Sequence, residues 1–229
     1  MIKTKKGIFL LEASPDIRVQ STRFRLPQVK NFIVSHWHFD HMYGLHELLT
    51  WMKKLEEKPV VHCSAGTKEK IDREFSYLPL TVHVLRPYEQ FVLNDVIITP
   101  VPVYHMFNID EDIPEDRLNN AFGYVLEHEH KRVAYLADYY RIPIKTQEAI
   151  HGVNALIADG TYLLTREYEH VKPNHIHGQD IFKFVARTRA RRVYFHSISH
   201  LTGYTHEQMQ KALPARHNIS YDGMKINLK

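Results

Sequence analysis

The sequence predicts an α/β fold built as one domain over residues 1–229. Short apolar runs typical of buried strands alternate with segments whose apolar residues recur at helical spacing. A length of 229 residues with 44% hydrophobic content is enough for one sizeable core. Because no internal repeat and no low-complexity linker divides the chain, we expect no boundary between domains.

The expected elements follow one another from the N-terminus. Strands are expected at residues 7–11, 32–34, 59–62, 82–85, 91–93, 96–104, 122–126, 133–137, 155–158, 193–195, 218–221 and 224–228. Helices are expected in a short segment ending at residue 25 and at residues 44–55, 66–75, 180–187 and 205–213. Residues 108–120 are acidic and lack periodicity, which indicates a connecting loop or a lid. Residues 128–131 join two hairpin-like strands, which favours an exposed turn.

A histidine-rich motif with the spacing His-x-His-x-Asp-His directly follows the apolar residues 32–34. That apolar run predicts a buried strand, so the polar residues fall on the loop at its C-terminal end. Neutral imidazoles and a carboxylate are ligands that zinc, manganese and iron accept. In a tight loop, His36 and His38 can converge on one ion while Asp40 and His41 reach a second.

Three further predicted strands lead directly into a residue that can bind a metal. These residues are His105, Asp138 and His196. Parallel or mixed strands that end in this way bring such residues to one rim of the sheets, where α/β active sites are usually built. We therefore expect them to join the histidine motif in one site.

Composition sets outer bounds on the function. The single cysteine, Cys63, excludes an intrachain disulfide and a thiolate cluster, which favours a reducing, cytoplasmic setting. No apolar run is long enough to span a membrane, and the apolar patch after the basic N-terminus is too short for a signal peptide. A net charge of +4 and a pI near 9.0 fit an anionic substrate without requiring one.

Together these residues resemble the metallo-β-lactamase superfamily, and specifically its phosphodiesterase branch. Residues 10–18 and 221–224 are similar to the phosphoribosyl cyclic phosphodiesterases of the carbon–phosphorus lyase pathway in particular. The resemblance implies a four-layered αββα sandwich with a two-metal site at its open edge. It also implies a shortened N-terminal sheet, because the glycine-rich strand-turn that usually opens the branch does not precede residue 7.

The resemblance also implies a complete set of metal ligands. One ion would be held by His36, His38 and His105, the other by Asp40, His41 and His196, and Asp138 would bridge them. The expected cofactors are two divalent ions, zinc or manganese, with iron also accepted by this donor set. Two such cations can share a hydroxide of lowered pKa and clamp the oxygens of a phosphoryl group. Asp40 is therefore expected to serve the reaction as well as the metal.

A leaving alkoxide needs a proton donor, which a further histidine supplies in the phosphodiesterase branch. The two candidates are His175 and His177, of which family spacing favours His175. Asp159 matches a position that typically orients a ligand histidine, so we expect it behind the metal ligands. His200, four residues after His196, is expected to support the site without binding metal.

The expected function is hydrolysis of a small cyclic phosphate or a nucleotide-like phosphodiester through a metal-bridging hydroxide. The alternatives are an RNA-processing nuclease of the ribonuclease Z type, a thioester or lactam hydrolase, and a non-catalytic member that binds a metal or a partner. A nuclease is favoured by the arginines at positions 187, 189, 191 and 192, although such clusters are also typical of a solvated basic face.

The expected partner is a small phosphodiester substrate. Nucleic acid is the weaker alternative, because the sequence has no Gly/Pro-rich arm of the kind that ribonuclease Z uses to hold tRNA. No membrane partner is expected. A homodimer is compatible with the shortened first sheet, whose edge a second chain could pair.

Overall fold

The computed structural model describes residues 1–49, 58–105, 120–165, 175–199 and 202–228. Their strands form two β-sheets. The strands of these residues are β1 (Ile2–Lys3), β2 (Ile8–Leu11), β3 (Asn31–Ile33), β4 (Val60–Cys63), β5 (Thr81–Val84), β6 (Phe91–Leu93), β7 (Val96–Pro102), β8 (Phe122–His128), β9 (Lys131–Tyr135), β10 (Ala155–Asp159), β11 (Val193–His196) and β12 (His217–Ile219).

The first sheet has the order β1-β2-β3-β4-β5 and the second has the order β12-β11-β10-β9-β8-β7-β6. In the first sheet only the β1–β2 pair is antiparallel. In the second sheet β9 to β12 run parallel, and β6 to β9 form an antiparallel meander. The parallel parts of both sheets provide strand ends that can carry a site on one rim.

Helices occupy the connections between the strands. In the described residues they are α1 (Ile17–Phe24), α2 (Phe39–Met42), α3 (Ala65–Glu74), α4 (Ile144–Ala149), α5 (Gly178–Thr188) and α6 (His206–Ala212), with a 3₁₀ helix at Tyr43–Glu47. None of the helices in this part of the chain is long and apolar enough to cross a membrane.

Three apolar clusters separate four layers. Alternation along β3 divides its side chains, because Phe32 packs in a cluster with α1 and α3 whereas Ile33 packs in a cluster between the two sheets. Ile181 and Phe184 of α5 pack in a third cluster against the outer face of the second sheet. Helices therefore cover both outer faces, and the predicted αββα sandwich is confirmed.

The β8–β9 hairpin agrees with the predicted exposed turn. Glu129 and His130 are exposed and both have positive φ angles, 44° and 63°. A two-residue turn with two positive φ angles is the geometry that matches the twist of paired strands. No metal-ligand role is needed to explain this His-Glu-His stretch.

Some elements differ from the sequence prediction. Residues 224–228 form no strand, and the strand from residue 96 ends at Pro102. The expected helix at 44–55 begins as the 3₁₀ helix, and its residues 50–55 lie outside the described residues. Residues 108–119 of the expected loop also lie outside them. Helices α2 and α4, with four and six residues, were not predicted because they are too short to show a periodic pattern.

Gly44, three residues after the histidine motif, allows the backbone at that position to lie directly against the turn after β2. Its backbone N–H donates to the Ala13 carbonyl at 2.7 Å. A Cβ atom at position 44 would lie 2.1 Å from the backbone oxygen of Ser14, which cannot move freely. We expect Gly44→Ala to lower the free energy of unfolding by about 2–4 kcal/mol and the Tm by about 4–16 °C.

Calorimetry with Gly152→Ala as control tests this close approach. Gly152 has a positive φ of 68° but no atom within 4 Å of its Cβ position. The control should therefore lose only the cost of left-handed backbone, about 1 kcal/mol. Equal losses in the two variants would contradict the steric explanation for Gly44.

Buried His62 should make folding sensitive to acid. The side chain on β4 is 6% exposed, its ring lies parallel to Phe91 at 5.2 Å, and its Nε2 has no hydrogen-bond partner among the described residues. Burial, with a smaller effect from the neighbouring His83, lowers the pKa of His62 to about 4. In the unfolded chain the group titrates near 6.5, so the unfolded state binds more protons between these values.

The contribution of His62 to stability should be complete above about pH 6.5 and lost progressively as the pH falls towards 4. We expect urea unfolding to show that, between neutral pH and about pH 4, the free energy of unfolding falls by up to about 3 kcal/mol more in the wild type than in His62→Gln. The same pH slope in both proteins would show that His62 is not the cause.

Candidate metal centre

The first group of potential ligands combines the histidine motif with residues of the second sheet. Ligand atoms of His36, His38, His105 and Asp138 all lie within 4.8 Å of one another. The ring centroids of His36 lie 4.6 Å from His38 and 4.7 Å from His105. His36 and His105 are almost completely buried. Four donors at this separation can surround one cation.

A second group shares one of these residues. Ligand atoms of Asp40, His41 and Asp138 also lie within 4.8 Å of one another. The Nε2 atom of His41 is 3.2 Å from an oxygen of Asp40 and 3.3 Å from Oδ2 of Asp138. Asp138 therefore stands between two adjacent sets of donors.

Asp138 is the electrostatic centre of the arrangement. Its Oδ2 atom lies 3.8 Å from a ring nitrogen of each of His36, His105 and His175. Burial raises the pKa of Asp138, but contact with His41 and the neighbouring imidazoles outweigh burial and lower it far below its usual range. The carboxyl group is therefore ionised, as a metal ligand must be.

The two motif histidines that contact each other have opposite electrostatics. Burial and the nearby His41 lower the pKa of His36 well below its ordinary value, so His36 is neutral. Burial also lowers the pKa of His41, but contacts with Asp138, Asp40 and Glu12 outweigh it and raise the value strongly. A bound cation would replace the His41 proton, because ligand histidines are neutral.

Hydrogen bonds between the two sheets hold the motif in place. The hydroxyl of Tyr124 on β8 donates to the Val34 carbonyl at 2.8 Å. One residue further on, the Ser35 carbonyl accepts from the Phe122 N–H at 3.0 Å. These bonds fix the backbone immediately before His36 against the second sheet.

The loops after β7 and β9 are also paired with each other. The Tyr104 N–H donates to the Arg141 carbonyl, and the Tyr140 N–H donates to the Tyr104 carbonyl, both at 3.0 Å. This pairing places His105 beside Asp138, although the two residues are far apart in sequence. It explains physically why separate strand ends meet at one rim.

Two residues that contact the candidate ligands, Glu12 and Ser35, were not predicted from the sequence. The Glu12 carboxylate accepts from the Ser35 N–H at 3.2 Å and lies 3.4 Å from Nδ1 of His41. The Ser35 hydroxyl lies 2.9 Å from Nδ1 of His36. Glu12 directly follows β2, so the strand-end rule that selected Asp138 would also have found it.

The donor set fits a divalent cation. Nε2 of His36 and Oδ1 of Asp138 are buried and have no hydrogen-bond partner among the described residues. Such polar atoms are costly to bury unless something pairs with them. Imidazole and carboxylate donors aimed at a common point are the ligands that zinc, manganese and iron accept.

His175 joins the cluster from the side of α5. Its Nδ1–H donates to Oδ2 of the fully buried Asp159 at 2.6 Å, and its Nε2 faces Asp138. Burial lowers the pKa of His175, but the bond to Asp159 outweighs it and raises the pKa above its ordinary value. Asp159, which also accepts from the Thr161 N–H at 2.8 Å, therefore orients His175.

His177 does not share this position. It is the N-cap residue of α5 with an extended backbone, and its side chain makes no capping hydrogen bond. It belongs to none of the groups of potential ligands found in the described residues. Of the two predicted proton donors, the structure brings only His175 to the cluster.

His196 lies at the end of β11 but points to the backbone. Its Nε2 atom lies 3.0 Å from the Leu136 carbonyl oxygen, and its ring stacks on Tyr135 at 5.3 Å. It is absent from the ligand groups of the described residues, so its metal role stays a prediction. His200 lies outside the described residues.

A cleft of about 1510 Å³ opens beside the second ligand group, with Asp40, His41 and His196 in its wall. Four cationic side chains also line it: Lys3, Lys5, Arg25 and Lys225. Four carboxylates line it as well, those of Glu12, Asp40, Glu129 and Asp222, so the opening that leads to the candidate ligands carries charge of both signs.

Comparison with known proteins agrees with this fold. A family described as "Beta-lactamase superfamily domain" matches residues 8–198. No curated protein gives a significant match.

Several solved structures share the architecture. A diphosphatase from the PhnP family aligns with a TM-score of 0.82 and 22% identity, over 99% of this chain and 82% of that one. Zn(2+)-bound PqqB from Methylobacterium extorquens gives 0.74 and 20%, over 96% and 83%. The short form of human tRNase Z gives 0.75 and 16%, over 100% and 91%.

The match extends from β2 to the residues just after β11, so it includes the histidine motif and all of the described ligand groups. The resemblance predicted from the sequence is thereby confirmed. The chain belongs to the β-lactamase superfamily and is a metal-dependent hydrolase with the metallo-β-lactamase fold.

Proposed function

We propose that the protein hydrolyses a small cyclic phosphate or a nucleotide-like phosphodiester with two divalent metal ions. The observation that carries the proposal is the position of Asp138, which is shared by the group of His36, His38 and His105 and by the group of Asp40 and His41. It also belongs to a third group, with Asp159 and His175, in which His175 has a different role, that of the proton donor. A carboxylate shared by two sets of donors suits a pair of neighbouring cations. Zinc and manganese are the proposed metals, and iron fits the same donors.

Each ion would have its own ligands in addition to Asp138. The first would be held by His36, His38 and His105, and the second by Asp40 and His41. His196 would complete the second set after releasing the Leu136 carbonyl. When bound, two such ions lower the pKa of a water nucleophile and stabilise negative charge on the phosphoryl oxygens.

The protein itself supplies the proton for the leaving group in this proposal. Asp159 holds Nδ1 of His175, which leaves Nε2 directed at the ligand cluster. From there Nε2 can donate to an alkoxide as it departs. A separate acid of this kind suits phosphodiesters of alcohols, whose leaving groups are strongly basic.

The cleft supports a small anionic substrate. Its four cationic side chains make no ion pair with any described residue, whereas two of its four carboxylates, Asp40 and Glu12, already contact His41. The positive charge is therefore available to a phosphate-bearing ligand.

The arginine cluster does not favour the nuclease alternative at this site. Arg191 and Arg192 lie just before β11, whereas His196 ends it. The arginines are thus at the opposite end of the strand from the candidate ligands. An RNA held only by this basic face would not present its phosphates to the metal centre.

Four substrates separate the candidate functions. We would assay the zinc- or manganese-loaded protein with bis-p-nitrophenyl phosphate, a cyclic nucleotide, a thioester and a labelled RNA. The proposal predicts turnover of the two phosphodiesters without cleavage of the RNA. Turnover of the thioester alone would overturn it.

Asp138→Asn should lose metal and activity together, because an amide cannot bridge two cations as a carboxylate does. We expect two metal equivalents in the wild type and less than one in the variant by elemental analysis. Phosphodiesterase activity should fall about 100-fold or more. Asp72→Asn, which changes an exposed carboxylate that pairs with Lys68, is the matched control and should keep both properties.

His175→Ala should lower kcat for an alkyl phosphodiester by about 10²–10⁴-fold while metal content is unchanged. The loss should be smaller with bis-p-nitrophenyl phosphate, because p-nitrophenolate leaves without a proton donor. His177→Ala is the matched control and should remain close to wild type. Loss of activity only in His177→Ala would move the acid role to that residue.

A further inference from the structure

Phe39 is the most exposed phenylalanine in the part of the chain that the structure describes. Its side chain is 62% exposed, whereas every other phenylalanine in the described residues is buried or half-buried. Among the other aromatic residues, Tyr221 in the wall of the cleft is similarly exposed, at 60%. Isolated exposed apolar residues are common and need no explanation. Phe39 differs because of where it lies and what supports it.

The backbone places Phe39 at the candidate metal centre. It stands between His38 of the first ligand group and Asp40 of the second, and it is the first residue of α2. Consecutive Cα atoms are about 3.8 Å apart, so its ring projects from within one residue of both ligand groups. Phe39 does not line the cleft described above, whereas the next two residues, Asp40 and His41, do. A base stacked on Phe39 would therefore lie just outside the cleft while the phosphate meets the ligands.

A second aromatic ring supports Phe39 from behind. The centroid of Tyr43 lies 4.7 Å from that of Phe39, with the rings tilted by 39°. Tyr43 in turn packs edge-on against the buried Phe75 at 5.5 Å, and its hydroxyl donates to Glu74 of α3. These contacts hold the pair of rings on a fixed base rather than on a mobile loop.

Trp37 lies on the other side of His38. Its ring is edge-on to His38 at 4.9 Å, and the Lys70 ammonium lies 4.4 Å from the ring centroid. The loop thus alternates aromatic side chains at 37 and 39 with candidate ligands at 36, 38 and 40. Lys70 adds positive charge beside the aromatic side.

We propose that Phe39 is a specificity residue that stacks on an aromatic base of the substrate. This inference rests on the proposed phosphodiesterase function and names its substrate class, a phosphodiester that carries a nucleobase. Every base has a π-face that can stack on an exposed ring, and a nucleotide holds its base only one sugar away from its phosphate. The phosphate would then meet the ligand groups while the base covers Phe39.

Binding can be measured without turnover. The chain has two tryptophans, so a Trp51→Phe background leaves Trp37 as the only tryptophan reporter next to Phe39. The zinc-loaded protein would be titrated with AMP and, separately, with ribose 5-phosphate. We expect Phe39→Leu to raise the Kd for AMP about 5- to 20-fold and to leave the Kd for ribose 5-phosphate unchanged.

Two control variants make the measurement specific. Phe39→Tyr keeps the ring and should bind AMP like the parent protein. Tyr77→Leu removes another aromatic residue, 51% exposed, that packs on His46 instead of beside the ligands, and it should have no effect. Equal weakening of AMP and ribose 5-phosphate by Phe39→Leu would overturn the proposal.

Turnover gives an independent readout. Phe39→Leu should lower kcat/KM for adenosine 2′,3′-cyclic phosphate about 5- to 20-fold, mainly through KM, but not for glycerol 1,2-cyclic phosphate. An equal loss on both substrates would overturn a base-specific role. If the wild type hydrolyses neither ester while AMP binding still depends on Phe39, the proposed reaction fails and the base-binding role stands.

Discussion

The structure depends on one buried carboxylate and the imidazoles around it. Asp138 is only 5% exposed, yet it lies within 3.8 Å of ring nitrogens from four histidines. Burying a charged group is expensive unless opposite charge and ligands compensate it. The fold meets this requirement by bringing side chains from both sheets to the end of β9. Such a concentration of buried polar groups is typical of a metal site and would destabilise a hydrophobic core.

The surrounding scaffold is ordinary sandwich packing placed to serve that carboxylate. Alternating apolar residues build three clusters, and the layers that result leave the strand ends at a common rim. The backbone bonds of Val34 and Ser35 to the second sheet then fix the histidine motif. Asp159 acts similarly for His175, since it is completely buried and leaves only one ring nitrogen of that histidine directed at the cluster. Main-chain hydrogen bonds thus position the histidine motif, and the carboxylate of Asp159 positions His175.

The sequence predicted most of this arrangement because its strongest signals are local. Apolar runs of three to seven residues mark strands, and a polar residue after such a run marks a rim position. The same signals could not predict α2, which has only four residues, or the contact between the His196 side chain and a backbone carbonyl. Residues 224–228 have an apolar pattern but no strand of the described residues pairs with them. Side-chain rotamers and strand partners depend on tertiary contacts, which a local pattern does not contain.

The origin of the ligands has a consequence for the lifetime of the protein. His36 and His38 follow a strand of the first sheet, whereas His105 and Asp138 follow strands of the second. A cation bound by both pairs would link the two sheets, and its binding free energy would oppose their separation. Cellular metal supply would then govern how long the chain survives proteolysis as well as how fast it works.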